Sequence, residues 1–368
     1  MEDKRRTIDQ IKFISFIMLL TVCLIIILGN LNMFGISKKL DQSEIFERYS
    51  VASILTVLSI LTGFFIGKNN EKPLLPLGFI IFVISICLLI LVEIVGVQKY
   101  GAKRWIYIGG ISIHPTEIIK IPIIMIASYY IGKQKRFLIK IFIFGIIFIL
   151  PAILIIKHPD YGSAGSILFI MFLTLFISEV PMRFIIPVIL MVILSAPLIW
   201  KYGLKEYHRE RILGLIDQEE RAMEVAYQTV QSKIAIASGG LHGAGIGKGE
   251  HGSGQWIPNL HTDFAFASIS EDLGFIGSTI TIIVFITLIT SLCSKALLLE
   301  DKISKSLCIL TAGLIFFHTF VNVGMVSGLL PVIGIPLTMI SYAGTHNIST
   351  GFLIGLCAGV DNKKKSFA

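Results

Sequence analysis

Charge is what this sequence has least of. Only 15% of its 368 residues are charged, against 54% hydrophobic, and mean hydropathy is +0.81. A soluble chain carries about a quarter charged residues, so this one cannot cover a water-facing surface, which excludes two or three soluble domains. Cysteine is scarce too: Cys23, Cys87, Cys293, Cys308 and Cys357 lie in or at the ends of apolar runs, with no CxxC pair. That placement argues against a disulfide framework or a zinc site and for small apolar side chains buried in helices. The chain also shows no convincing internal repeat and no low-complexity tract, so one integral-membrane domain over 1–368 is expected.

What it has instead is apolar length. Runs such as Ile14–Ile27, Leu77–Val92, Phe137–Ile156 and Phe184–Trp200 approach the roughly 20 residues that a hydrocarbon core of about 30 Å demands of a helix. The expected fold is an all-α polytopic membrane protein with ten transmembrane helices, at about 11–33, 49–67, 75–97, 114–132, 137–156, 163–180, 183–200, 263–293, 305–327 and 338–360. Met1–Asn32 has the basic start of a signal peptide. Its apolar stretch is too long, however, and lacks a small-x-small cleavage site, so it is read as an uncleaved first span.

Lysine and arginine set the orientation. With both ends inside, the cytoplasmic segments hold 17 of these residues and the short outer segments 7. The N and C termini are therefore expected in the cytoplasm, with a long extracytoplasmic loop, 201–262, between spans 7 and 8. The net charge of +8 then reflects orientation, and no nucleic-acid partner is expected.

Ionisable residues inside spans are functional candidates by default. Pro115 suits a first helical position, which puts Glu117 in the first turn and Lys120 one turn on, on the same face. They read equally as an internal ion pair or as part of a grip on an anionic ligand. Asp160, in His158-Pro159-Asp160-Tyr161-Gly162, suits a turn or N-cap. Asp263, where the long loop re-enters the membrane, reads as an N-cap or as a carboxylate able to act as a general base or hold a divalent cation. Glu271 and Asp272 follow; two adjacent acids are not expected to face one direction, so at least one needs a separate partner. The run His242–Gly249 lacks the spacing of a nucleotide-phosphate loop and is read as a flexible outer loop. Between Asn322 and Asn347, six Gly and Pro residues break an apolar background. Irregular backbone at membrane depth survives only where protein or a watery cavity satisfies it, so Ser341, Tyr342, Thr345, His346 and Asn347 are candidates to line a cavity. These residues suit either a transporter or an enzyme with a lipid-linked substrate.

Five stretches in order resemble the SEDS family (shape, elongation, division and sporulation). They are Gly101-Ala-Lys-Arg104-Trp105-Ile; His114-Pro-Thr-Glu117-Ile-Ile-Lys120; His158-Pro-Asp160-Tyr-Gly162; Gln231-Ser-Lys-Ile-Ala-Ile-Ala-Ser-Gly-Gly240 with His261-Thr-Asp263-Phe; and Gly324-Met-Val-Ser-Gly-Leu-Leu-Pro331 through Gly334-Ile-Pro336 to Ser341-Tyr342. Gln231–Ile236 is most similar to the family's RodA branch. The resemblance implies a peptidoglycan glycosyltransferase that polymerises lipid II at the outer face of a bacterial cytoplasmic (inner) membrane, for elongation and rod shape, with undecaprenyl pyrophosphate as leaving group. It implies a class B penicillin-binding protein as partner, with other elongation-complex membrane proteins. Asp263 matches the family's essential outer-loop Asp, deprotonating the acceptor hydroxyl directly or with help from a divalent cation (Mg2+ or Mn2+); no nucleotide, haem or zinc is implied. Trp105, Glu117, Lys120 and Asp160 match positions around the central cavity, where Lys120 would neutralise pyrophosphate. Arg104, Arg209 and Arg211 are candidate phosphate contacts, and Glu271, Ser341, Tyr342 and Thr345 weaker cavity-lining candidates. Asn259-Leu260 replace the usual Glu-Gln or Glu-Arg, Asp272 replaces a Glu, and Ala343 replaces a Gly. A lipid II flippase, a division- or sporulation-type polymerase and a recruiting scaffold are the alternatives.

Overall fold

The computed structural model describes residues 2–68, 74–99, 102–108, 111–134, 136–198, 200–201, 209–210, 212–213, 215, 227–250 and 256–362. Its helices are α1 (Glu2–Leu40), α2 (Ser43–Lys68), α3 (Leu74–Val95), α4 (Pro115–Ile118), α5 (Lys120–Lys133), α6 (Phe137–Lys157), α7 (Tyr161–Ile177), α8 (Met182–Leu198), α9 (Tyr227–Ser238), α10 (Ala265–Leu298), α11 (Lys302–Val326) and α12 (Gly344–Gly359). Six of them, α1, α2, α3, α6, α10 and α11, are long and apolar enough to cross a membrane, and α7 is a shorter apolar helix of 17 residues. The chain is a multi-pass membrane protein. At 1.5 Å per residue, the 39 residues of α1 run well past a bilayer core and carry Lys38 and Lys39 beyond the expected end at 33.

Two pairings set the frame. Helix α1 lies antiparallel to α10, fastened by buried lysines near both ends. Lys39 meets Glu271 at one end. At the other, the Lys295 ammonium donates to Ser15 Oγ at 2.7 Å and to the Ala358 carbonyl at 2.8 Å. Helix α2 packs on α12 through glycines four apart, Gly63 and Gly67 against Gly351, Gly355 and Gly359. A Cβ on Gly355 would collide with the Ile60 carbonyl, so backbones touch here as small-residue stripes in membranes permit. Lys140, also buried, donates to the carbonyls of Ser178 at 2.9 Å and Ile131 at 3.4 Å, satisfying the ends of α7 and α5.

Three features differ from expectation. The fold is not purely helical: β1 (Val97–Lys99), β2 (Ala102–Ile108) and β3 (Ile111–Ile113) form an antiparallel sheet in order β1-β2-β3, with Val97 opposite Trp105 and Ile106 opposite Ile113. Val97, Trp105, Ile106, Tyr107, Ile108, Ile111 and Ile113 are of the β-branched and aromatic types that favour strands, and the sheet gives this connection internal backbone hydrogen bonds. The glycine run is not a loose loop either. Gly243, Gly245 and Gly247 all take positive φ, and the run is pinned to α10 by Ala244 N–H to Glu271 O (3.0 Å), Gly245 N–H to Asp272 O (2.9 Å) and Phe275 N–H to Gly240 O (2.8 Å). Those bonds answer the groups released where α10 kinks at Gly274, φ 67°. Finally, the adjacent acids do converge: Lys39 Nζ lies 2.9 Å from Glu271 Oε2 and 2.7 Å from Asp272 Oδ1, because the long lysine reaches between them. The other Asp272 oxygen accepts from Gly247 N–H at 2.9 Å. Of the cysteines, Cys308 and Cys357 are buried, whereas Cys23, Cys87 and Cys293 are exposed on apolar helices.

Candidate active site

The site is built from α4, α5, α11 and α12. Pro115 opens α4, and Glu117 and Lys120 face each other as the spacing requires. Lys120 Nζ donates to both carboxylate oxygens at 2.8 Å and sits 3.2 Å from His318 Nε2. Glu117 Oε2 is also 2.6 Å from His346 Nδ1. The His318 and His346 rings stack at 4.3 Å. Each has an outer partner: His318 Nδ1 contacts the Pro336 carbonyl at 3.3 Å, and His346 Nε2 contacts Thr338 Oγ1 at 3.0 Å. A Pro336 carbonyl can only accept, so it fixes Nδ1 of His318 as the donor and leaves Nε2 with a lone pair toward Lys120. All four members are buried, and each charge has a partner, as burial of charge demands.

A second polar group adjoins it through His114. The His114 backbone N–H donates to Thr345 Oγ1 at 3.2 Å, its ring packs edge-on to Trp105 at 4.5 Å, and its Nε2 is 3.7 Å from Asp160 Oδ2. Thr116 bonds the other ring nitrogen. Asp160 is the N-cap of α7, accepting from Ser163 N–H at 3.2 Å. Arg104 NH1 stands 3.7 Å from Asp160 Oδ1, and the guanidinium also donates to the carbonyls of His158 and Pro159. At 27% side-chain exposure, Arg104 is the cation here that can still reach outward. Burial holds the His158 and His261 imidazoles below their ordinary pKa.

Asp263 lies on the turn that leads into α10. The N-cap position falls on Phe264, one residue past the half-buried Asp263. The turn is shaped by Asn259, φ 62°, a left-handed conformation that Asn adopts readily; this accounts for Asn where the family resemblance expects Glu. The Asn259 carbonyl accepts from Thr262 N–H at 3.0 Å. Opposite, the stretch between α11 and α12 is irregular, as expected, and side chains satisfy it. Asn347 and Ser341 bond inside it, and Tyr49 OH donates to the Met339 carbonyl at 2.5 Å. The Tyr342 N–H donates to the His261 carbonyl at 2.7 Å, and the two rings lie 5.8 Å apart. Asn322 Nδ2 bridges the Asp263 carbonyl at 2.9 Å and the Ile335 carbonyl at 2.7 Å.

The structure thus gathers Trp105, Arg104, Glu117, Lys120, Asp160 and Thr345 into one contiguous network, and joins the Asp263 turn, with Tyr342, to it through α11 and the 334–342 stretch. Ser341 turns its hydroxyl to the Leu337 N–H at 2.9 Å. Glu271 stands apart, with Lys39. Arg209 bonds the Lys201 carbonyl at 2.6 Å, and Arg211 lies outside the described residues. His318 and Asn322 escaped the sequence reading, although a histidine and an asparagine interrupting the apolar run 305–327 are the signal that intramembrane polar residues give.

Among the described residues one group has metal-ligand geometry, Glu117 with His318 and His346, whose donor atoms lie within 4.8 Å of one another. The Lys120 ammonium already sits among those donors, and two imidazoles do not suit Mg2+. This group is not a fit for the expected cation. Asp263, at the edge of the network, offers a carboxylate oxygen, the donor type a hard cation takes.

The sequence model of the FtsW, RodA and SpoVE group, described as "Cell cycle protein", matches residues 10–366. Peptidoglycan glycosyltransferase MrdB of Escherichia coli (strain K12) is 31% identical over 291 residues, 77% of this chain and 78% of the relative. Probable peptidoglycan glycosyltransferase FtsW of Geobacter metallireducens is 33% identical over 290 residues, 76% of each chain. Among solved structures, the fold is shared with a chain of a peptidoglycan synthase complex coordinating polymerization and crosslinking (TM-score 0.76, 24% identity, covering 93% of this chain and 96% of that one). It is shared too with Thermus thermophilus rod shape determining protein RodA (TM-score 0.66, 22% identity, covering 92% and 94%).

Proposed function

The chain belongs to the FtsW, RodA and SpoVE family of cell cycle proteins, and on that premise we propose that it is a peptidoglycan glycosyltransferase polymerising lipid II at the outer face of a bacterial cytoplasmic membrane. The observation that carries the reading is the joining of one carboxylate turn, Asp263, to one buried cationic network, Lys120 with Arg104 beside it, through the same face of α11. Transfer of a glycosyl group onto a hydroxyl needs a base at the attacking oxygen and positive charge at the departing phosphate.

Asp263 takes the proton of the acceptor sugar hydroxyl as its oxygen bonds the donor's anomeric carbon. The bond from that carbon to the pyrophosphate oxygen breaks, and undecaprenyl pyrophosphate leaves with the electron pair. Lys120 has all three N–H groups engaged, so it acts on the pyrophosphate through its field, and the partly exposed Arg104 is the direct phosphate contact in this reading. A divalent cation, Mg2+ or Mn2+, would be held by Asp263 with the substrate's phosphates and would supply further neutralisation there. Ten spans within one membrane domain, both termini in the cytoplasm, belong to the same proposal. So does pairing with a class B penicillin-binding protein among the elongation proteins. The elongation role is favoured over division by the RodA-like Gln231–Ile236 stretch.

The test is glycan-chain formation from lipid II by the purified protein with its cognate penicillin-binding protein, comparing wild type with Asp263→Ala. Polymer from the wild type and none from a folded, partner-bound Asp263→Ala is the expected result. Equal polymer from both would remove Asp263 from the chemistry. No polymer from either, together with lipid II movement across liposomes, would favour the flippase reading.

A further inference from the structure

We propose that Asn322 is a positioning residue for the Asp263 carboxylate, setting through one side-chain amide both the turn that carries the carboxylate and the wall it rests against. The inference rests on the reading of Asp263 as the base. Asn322 is fully buried on α11, and its Nδ2 donates to two backbone carbonyls, Asp263 O at 2.9 Å and Ile335 O at 2.7 Å. Both acceptors are carbonyls, so the amide can face them only with its nitrogen. The carbonyls belong to two different non-helical segments, one preceding α10 and one between α11 and α12.

The second segment also runs beside the carboxylate. Gly334 has φ 73°, and a Cβ built there would stand 3.4 Å from Asp263 Oδ2. Asn322 thus holds Ile335, the residue next to that wall, with the same nitrogen that holds Asp263. One turn away on α11, His318 repeats the contact on the next carbonyl, Pro336 O, so the two rungs keep the segment in register along the helix. The amide oxygen of Asn322 is buried without a partner among the described residues. An apolar side chain of the same size would remove that orphaned acceptor but would also take the donor from the Asp263 and Ile335 carbonyls, so stability and geometry both favour Asn here and the kinetic readout is what separates them.

The experiment uses the full-length protein with its cognate penicillin-binding protein, measuring kcat and KM for lipid II, the melting temperature and partner co-purification. Asn322→Leu removes both bonds at nearly constant volume; Asn322→Ser keeps a single, shorter donor if Leu is not accommodated. The expected result is a kcat lower by about ten- to a hundredfold in Asn322→Leu, as misplacing a reacting group by about an ångström produces. KM should stay within about twofold and the partner should still co-purify; Asn322→Ser should fall between. A kcat per folded molecule within about twofold of wild type would overturn the proposal, since a purely structural residue would change only the yield of folded enzyme. A raised KM at unchanged kcat would overturn it equally. Retained activity in Asp263→Ala would instead overturn the base assignment, a result separate from the Asn322 series.

Discussion

An ammonium held by three acceptors among buried rings is stable only as part of its set. Lys120 is 4% exposed and Glu117 is 6% exposed, so deleting either leaves the other as an uncompensated charge. Lys120→Met should cost about 3–5 kcal/mol, the usual penalty for breaking a buried pair from one side. The double variant Glu117→Gln/Lys120→Met should regain most of that, because it removes both charges. Thermal unfolding in detergent separates the two outcomes; a single variant as stable as wild type would mean that His346 or His318 takes up the missing charge. The pair itself was legible, since Pro115 fixed the helix start and three residues' spacing did the rest. Its contact with His318 was not, because His318 comes 198 residues later and only packing of α11 against α5 brings the two together; His346 was legible as a cavity residue but not as the partner of Glu117.

At the scale of elements, the glycine run works as a clasp on the kinked end of α10. Gly243 takes φ 81°, and a Cβ there would strike the Asp272 backbone; Gly240 takes φ 53° with nothing within 4 Å. Gly243→Ala should therefore lose about 2 kcal/mol or more, from a left-handed alanine and a backbone collision together. Gly240→Asn should be nearly neutral, as Asn tolerates that conformation. Melting temperatures of the two variants check this, and equal losses would mean that strain alone, not contact, decides. Composition suggested a loose loop because glycine serves both freedom and close approach, and only the opposing backbone distinguishes them. The sheet, by contrast, had its signal in plain view. Trp105-Ile-Tyr-Ile, Gly109-Gly110 and Ile-Ser-Ile form two β-rich runs about a two-glycine connection, overlooked beside so many apolar runs.

At the scale of the whole molecule, the surplus of Lys and Arg on one side of the spans predicts which loops meet the outside. In a background with the native cysteines replaced, a cysteine at Asp41, between α1 and α2, should react with a membrane-impermeant maleimide on intact cells. One at Glu300, between α10 and α11, should react only after permeabilisation; both positions are exposed. Reversed labelling would invert the orientation and place Asp263 on the wrong side for its substrate.

The lysines at the two ends of the α1 and α10 pair have a mechanical meaning as well. Lys39 is locked to two carboxylates at one end, and Lys295 is held by α1 and α12 at the other. The pair is riveted at top and bottom, so neither helix slides along its neighbour without tearing a desolvated charge from its partners. Any cycle that slid α1 along α10 would have to shear those rivets, whereas one that moved the two helices as a unit would leave them undisturbed.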